Sequence, residues 1–193
     1  MKVAIVKYNA CNIMSVTHAL NRLGIEPLVT DDINEIQTAN KVIFPGVGEA
    51  STAMNYLRNK GLDKVLKNLK QPFLGICLGM QLMGKVSEEG NTECLGIFDV
   101  NIKKFPPLEK VPHMGLNSIF EFDSPLLKNV TPGSYMYFVH SYYAELSEYT
   151  SAKCSYITEF SAGLRKDNFH AFQFHPEKSG DVGSLILRNF IES

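Results

Sequence analysis

Tryptophan is absent from this chain, and so is any apolar run long enough to cross a membrane as a helix. The first absence removes a favoured aromatic anchor of protein interfaces, and the second excludes a spanning role. Charge of one sign is never in excess, since 19 Lys and Arg face 20 Asp and Glu for a net charge of −1. That balance supplies no basic field for nucleic acid or an anionic membrane surface. Paired CxxC spacing is lacking among the four cysteines, Cys11, Cys77, Cys94 and Cys154. The N-terminal apolar run Val3 to Val6 is too short for a signal peptide and stops at Lys7, so free thiols in a cytoplasmic protein are expected. No repeat, low-complexity tract or linker breaks the 193 residues, which predicts one domain over 1–193 with a sizeable core.

What is present is an alternation of strands and helices. Val3 to Val6, Pro27 to Thr30, Lys41 to Phe44 and the run ending at Gly75 read as strands. Met14, His18, Leu20 and Leu23 recur at helical spacing before the stop at Gly24, and Asp31-Asp32 offers a cap to a short segment over Ile33 to Ile36. Ala50 to Leu57 and Leu62 to Leu69 read as helices split by Gly61. Such alternation predicts an α/β fold: a central, mostly parallel sheet with helices on both faces and ligands at the strands' carboxyl ends. From about Leu95 the pattern changes to Ile97–Ile102, Ser118–Phe122, Tyr135–Tyr142 and Ser155–Phe160, a mixed or antiparallel continuation of the sheet. Phe169 to Phe174 is a last strand, and Val182 to Ile191 a last amphipathic helix.

The chain is organised around Gly75-Ile76-Cys77-Leu78-Gly79-Met80-Gln81. A strand arrives, a thiol sits at the bend, and a helix leaves. Glycines two before and two after a nucleophile suit a turn so tight that side chains there would collide. Cys77 on the first turn of a helix would be favoured as thiolate, although a buried cysteine at such a junction is an equally ordinary structural feature.

Phe174-His175-Pro176-Glu177 follows the last strand. Proline pushes His175 towards an extended conformation, so His175 and Glu177 tend to project to one side. A cysteine nucleophile needs a base, and the base an orienting carboxylate. A hydrogen-bonded histidine and a helix-start acid would look the same in sequence. In Pro45-Gly46-Val47-Gly48 the glycines free the backbone to aim N–H groups at an oxyanion, with the N–H of Leu78 as a second donor; an ordinary turn is the alternative. Cys77, His175 and Glu177 would also suit a metal chemically, but clustered ligand spacing is absent, and no metal or cofactor is expected.

Together these stretches resemble the class I, triad-type glutamine amidotransferases, whose fold is flavodoxin-like. Val111-Pro112-His113-Met114-Gly115-Leu116-Asn117 and Tyr137-Phe138-Val139-His140-Ser141-Tyr142 sharpen the likeness to the branch formed by glutaminase subunits of imidazole glycerol phosphate synthase. The resemblance implies Cys77, His175 and Glu177 as catalytic triad, with Val47, Gly48 and Leu78 at the oxyanion hole. For L-glutamine it implies contacts from Gly48, Gln81, Glu89, His140 and Ser141. Gln81 and Glu89 also read as polar faces of the helix after the bend, and His140 as a satisfied core histidine. It further implies a heterodimer with a (β/α)8-barrel cyclase subunit of histidine biosynthesis, met by Asn12, Pro112, Leu116, Tyr137 and Lys178 and fed with ammonia. The chain departs from the pattern at Leu116, where the family usually carries tryptophan. That departure keeps a second reading open: a paralogous glutaminase feeding another synthase, such as one aminating surface sugars. A peptidase of related fold and a non-catalytic interaction protein are further readings, against which the late His-x-Glu and the complete set of three residues stand.

Overall fold

The computed structural model describes residues 1–9 and 13–193. Its first half alternates as the apolar runs predict: β1 (Val3–Val6), α1 (Ile13–Arg22), β2 (Leu28–Thr30), α2 (Ile33–Gln37), β3 (Lys41–Gly46), α3 (Ala50–Asn59), α4 (Leu62–Leu66), β4 (Phe73–Cys77) and α5 (Leu78–Leu82). Two short strands follow, β5 (Val86–Ser87) and β6 (Thr92–Glu93), then β7 (Asn101–Lys104), β8 (His113–Ser118), β9 (Tyr135–His140) and β10 (Tyr142–Ala144). The chain closes with β11 (Thr150–Tyr156), β12 (Thr158–Lys166), β13 (Phe169–Phe172) and α6 (Gly180–Glu192).

The main sheet runs β2-β1-β3-β4-β13-β12-β10-β7-β5-β6, with β11 paired to β12. Strands β2, β1, β3, β4 and β13 are mutually parallel, and β12 begins the antiparallel part. This is the expected α/β architecture. Strand β13 arrives last in sequence yet inserts beside β4, matching Phe172 to Ile76. Strand β3 lies on the other side of β4 and matches Gly46 to Cys77. Three carboxyl ends therefore meet around Cys77.

Successive residues of the buried strands feed two cores, as a pleated strand requires. Ala4, Val6, Val42, Phe44 and Phe73 pack with α3, α4 and α5, while Val3, Ile5, Ile43, Leu74 and Ile76 pack with α1 and α6. The second core is completed by Met136 and Phe138 of β9, which pairs with β8 in a separate two-stranded antiparallel layer.

Several boundaries differ from the sequence reading. Strand β3 continues through Pro45 to Gly46, because pairing with β1 ends at Ile43 and proline then costs no ladder bond on that side. In α1 the buried face is Val16, Ala19 and Leu20, while Met14 is 62% exposed. Asp32 does cap α2, accepting from the Glu35 N–H at 2.9 Å. The run Ile97–Ile102 becomes a strand only from Asn101, its earlier members filling the core from turns. Of Ser118–Phe122 only Ser118 belongs to a strand, the end of β8, and Phe120 makes one isolated bridge to Lys153. Tyr135–Tyr142 breaks into β9 and β10 around Ser141, and Ser155–Phe160 spans the turn between β11 and β12, where Ile157 takes φ 63°.

Candidate active site

Cys77 ends β4 and begins α5 with φ 55° and ψ −111°, a conformation that costs a side-chain-bearing residue about 1–3 kcal/mol. The flanking glycines are needed for the reason foreseen. A Cβ on Gly79 would stand 1.8 Å from the Phe44 carbonyl oxygen, and one on Gly75 would stand 2.4 Å from Met83 Sδ. Neither gap admits a methyl group. The turn is thus wedged between β3 and its own helix, holding the thiol at the sheet's edge. Helix α5 has only five residues, which limits the dipole it brings to the thiol.

His175 Nδ1 lies 2.7 Å from Glu177 Oε1, and both side chains are fully buried. His175 is also hydrogen-bonded through its side chain to Cys77. Burial opposes charging the imidazole, but the adjacent Cys77 and Glu177 outweigh it and raise the His175 pKa to about 10. The loop is tied to β9 by the His175 N–H, which donates to the Tyr137 carbonyl at 2.9 Å, and is closed on itself by Ser179 Oγ, which donates to the His175 carbonyl at 2.6 Å. Ser179, which the sequence reading did not assign, also accepts from the Tyr137 N–H at 3.0 Å.

Cys77 and Leu78 line a pocket of about 300 Å³. Val47, Gly48, Gln81 and Glu89 line it on the helical side, and Pro112, His140 and Ser141 on the other. All the residues expected to contact glutamine or an oxyanion are thus brought together. Gly48 takes φ +116°, which only glycine adopts freely. Glu89 is not on the helix after the bend but on a short turn, Glu89–Asn91, where Oε2 accepts from the Ala50 N–H of α3 at 2.8 Å. Burial raises the Glu89 pKa.

His140 lines the pocket with both ring nitrogens occupied. Nδ1 meets the Tyr142 carbonyl at 2.8 Å, and Nε2 meets His113 Nδ1 at 2.9 Å. Burial lowers the pKa of His140 to about 3 and that of His113 to about 4, so both rings are neutral. This matches the satisfied core histidine. Tyr8, which sequence reasoning also missed, donates from its hydroxyl to the Pro45 carbonyl at 2.6 Å and braces the Gly46 turn, where a Cβ would meet that hydroxyl at 2.0 Å.

Of the expected partner-facing residues, Leu116 stands directly opposite Tyr137 in the β8–β9 register and is 66% exposed. Met114 and Tyr135 share that outer face, and Lys178 Nζ lies 5.7 Å from the Tyr137 ring centre. Asn12 and Cys11 lie outside the described residues. Cys94 and Cys154 are free buried thiols with pKa values pushed up to about 12 by burial, which leaves them inert. Among the described residues no group of three or more His, Cys, Asp or Glu is placed to hold a metal ion, and no helix is long and apolar enough to cross a membrane.

A thiol on a strained strand–helix bend, joined to a buried His–Glu pair at the carboxyl ends of a parallel sheet, has the chemistry required to attack a carbonyl. The chain belongs to the class I glutamine amidotransferases: the family model "Glutamine amidotransferase class-I" matches residues 5–193. A solved structure described as a glutamine amidotransferase shares the fold with a TM-score of 0.77 at 18% identity, covering 98% of this chain and 97% of the other. Within the family, the chain is 57% identical to the imidazole glycerol phosphate synthase subunit HisH of Bacteroides fragilis, over the whole of both chains. The subunit of the same name from Pasteurella multocida is 45% identical, covering 99% of this chain and 98% of the other.

Proposed function

We propose that this chain is the glutaminase subunit of an imidazole glycerol phosphate synthase, hydrolysing L-glutamine and delivering the ammonia to a (β/α)8-barrel cyclase subunit in histidine biosynthesis. The observation that carries the reading is the buried His175–Glu177 pair joined to Cys77 at the floor of the 300 Å³ pocket. Its full-length likeness to subunits of that name supports the choice of pathway.

Cys77 Sγ attacks the side-chain carbonyl carbon of glutamine, forming a C–S bond. The oxyanion takes N–H donors from Gly48 and Leu78 on the two turns that face the thiol, with Val47 shaping the first. His175, having taken the proton of the attacking thiol, gives it to the leaving nitrogen, and the C–N bond breaks to free ammonia and leave a thioester. Water then attacks the thioester while His175 accepts its proton, and glutamate leaves with Cys77 restored. Glu177 holds the tautomer that presents the other ring nitrogen to sulfur. Gln81, Glu89 and the Ser141 region around His140 bind the substrate's polar groups. Glu89 offers its free carboxylate oxygen to the α-ammonium.

The outer face of β8–β9, with Leu116, Met114 and Tyr137 beside Lys178, supplies the docking surface for the cyclase, and Pro112 reaches from that layer into the pocket. Asn12 is assigned to the same contact by family likeness. One cytoplasmic domain over 1–193 with no cofactor suffices for this chemistry.

The test is labelling with an electrophilic glutamine analogue. Covalent attachment to Cys77 alone, blocked by glutamine and lost in Cys77→Ala, supports the reading. Labelling elsewhere, or ammonia release undiminished in Cys77→Ala, refutes it.

A further inference from the structure

Gln173 is completely buried one residue past the end of β13, two positions before His175. A buried amide must find partners for both its ends. Its Oε1 accepts from Gln81 Nε2 at 3.0 Å, and its Nε2 donates to Cys77 Sγ at 3.7 Å. Ordinarily the two ends of a glutamine amide are interchangeable by a flip. Here they are not.

The direction is set at the Tyr142 carbonyl, which can only accept. Gln81 Nε2 donates to it at 2.9 Å, so Gln81 presents its NH2 group to this corner. That same NH2 group faces Gln173, which must answer with Oε1. Gln173 is left with its NH2 group towards sulfur. The other donor on the Tyr142 oxygen, His140 Nδ1, is fixed independently. Asn117 Nδ2 donates to the Ser155 carbonyl at 3.0 Å and to His113 Nε2 at 3.2 Å, so His113 carries its proton on Nδ1 and gives it to His140 Nε2. Each bond in the series thus has a fixed direction: His140 and Gln81 both donate into the Tyr142 oxygen, and Gln81 donates in turn to Gln173.

We propose that Gln173 is a positioning residue for the nucleophile, held by the Gln81 NH2 group that the Tyr142 carbonyl orients, so that an amide N–H, and never the amide oxygen, rests on Cys77 Sγ. The inference rests on the reading of Cys77 as the nucleophile and adds a function for a residue outside the triad. An N–H donor favours the thiolate over the thiol and aims one sulfur lone pair, leaving another for the substrate. Gln81 belongs to the pocket wall, so the donor on sulfur is tied through one hydrogen bond to the residue that meets glutamine.

The experiment follows alkylation of Cys77 by iodoacetamide in the intact protein from pH 5 to 9, read by mass spectrometry of the Cys77 peptide. Gln173→Met removes the donor without adding charge, and Gln173→Glu keeps the shape but offers oxygen to sulfur. The titratable groups facing Cys77 are His175 beyond β13, Tyr8 after β1, His140 on β9 and Glu89 across the pocket, and all remain in both variants. Both variants should move the alkylation midpoint to higher pH and slow alkylation at pH 7 by about tenfold or more. A folded variant of either kind with the wild-type midpoint and rate overturns the proposal. If neither variant folds, the wild-type protein decides. The Gln173 side-chain amide resonances should titrate with the same midpoint as Cys77 alkylation, and resonances indifferent to that midpoint overturn the proposal. A Cys77 inert to alkylation in the wild type defeats the nucleophile reading itself, which distinguishes that failure from failure of the Gln173 role.

Discussion

His113 Nδ1 and His140 Nε2 lie 2.9 Å apart between β8 and β9, two buried rings whose every nitrogen is engaged. The donors and acceptors around them assign both rings the Nδ1–H tautomer. Nitrogen-15 imidazole spectra at pH 7 should show two neutral Nδ1–H histidines. Because their folded pKa values, about 4 and about 3, lie below the ordinary 6.5, the unfolded chain binds protons first as pH falls. Their contribution to stability is whole above pH 6.5 and is lost as pH falls from there through about 4 for His113 and about 3 for His140. A titration midpoint near 6.5 for either ring would contradict this.

His175 has the opposite sign. Its pKa of about 10 lies above the unfolded value, so its contribution is whole below pH 6.5 and is lost as pH rises through 10. Glu177→Gln removes the carboxylate that orients the ring. Glutamine hydrolysis should fall by roughly 10²–10⁴-fold at neutral pH, with the alkylation midpoint of Cys77 moved upward. Steady-state ammonia release checks the first and alkylation the second.

The strained bend makes a prediction about stability. At φ 55° and ψ −111°, Cys77→Ala keeps the strain while Cys77→Gly relieves it. Both lose activity, yet the glycine variant should be more stable than the alanine variant by about 1–3 kcal/mol. Denaturant unfolding of the two proteins compares them directly. Equal stabilities would mean that the bend is relaxed in solution.

Gly79→Ala should be costlier. Its methyl group would enter the space of the Phe44 carbonyl, 1.8 Å from the oxygen, and force β3 from the bend. A loss of about 1–3 kcal/mol is expected from overpacking, with slowed alkylation of Cys77. Thermal melts and the alkylation rate read both effects.

The sequence revealed the parallel half of the fold because Val3–Val6, Lys41–Phe44 and Phe73–Ile76 are buried on both faces and read as unbroken apolar runs. The Cys77 bend was legible for a local reason: its glycines are forced by contacts within a few residues and with the adjacent strand. Strand β8 was not legible. His113 and Asn117 are polar because they serve the inner hydrogen-bond series, while Met114 and Leu116 are apolar on an exposed face, which inverts the usual alternation. Gln173 was also hidden, since its importance comes from Gln81 and Cys77, each more than 90 positions away and next to it only once β13 has inserted. Glu89 was expected in the right pocket but on the wrong element, because α5 stops at Leu82.

A glutaminase that serves a docked barrel cyclase should respond to that cyclase. Glutamine hydrolysis is followed for this chain alone and after addition of the cyclase subunit from the same organism, with and without the cyclase's ribonucleotide ligand. Low activity alone and strong stimulation in the complex are expected, with that stimulation lost in Leu116→Asp, which puts a charge on the outer face of β8 without touching the pocket. Hydrolysis unchanged by the cyclase, with both proteins folded, would contradict that expectation and assign the ammonia to a different synthase.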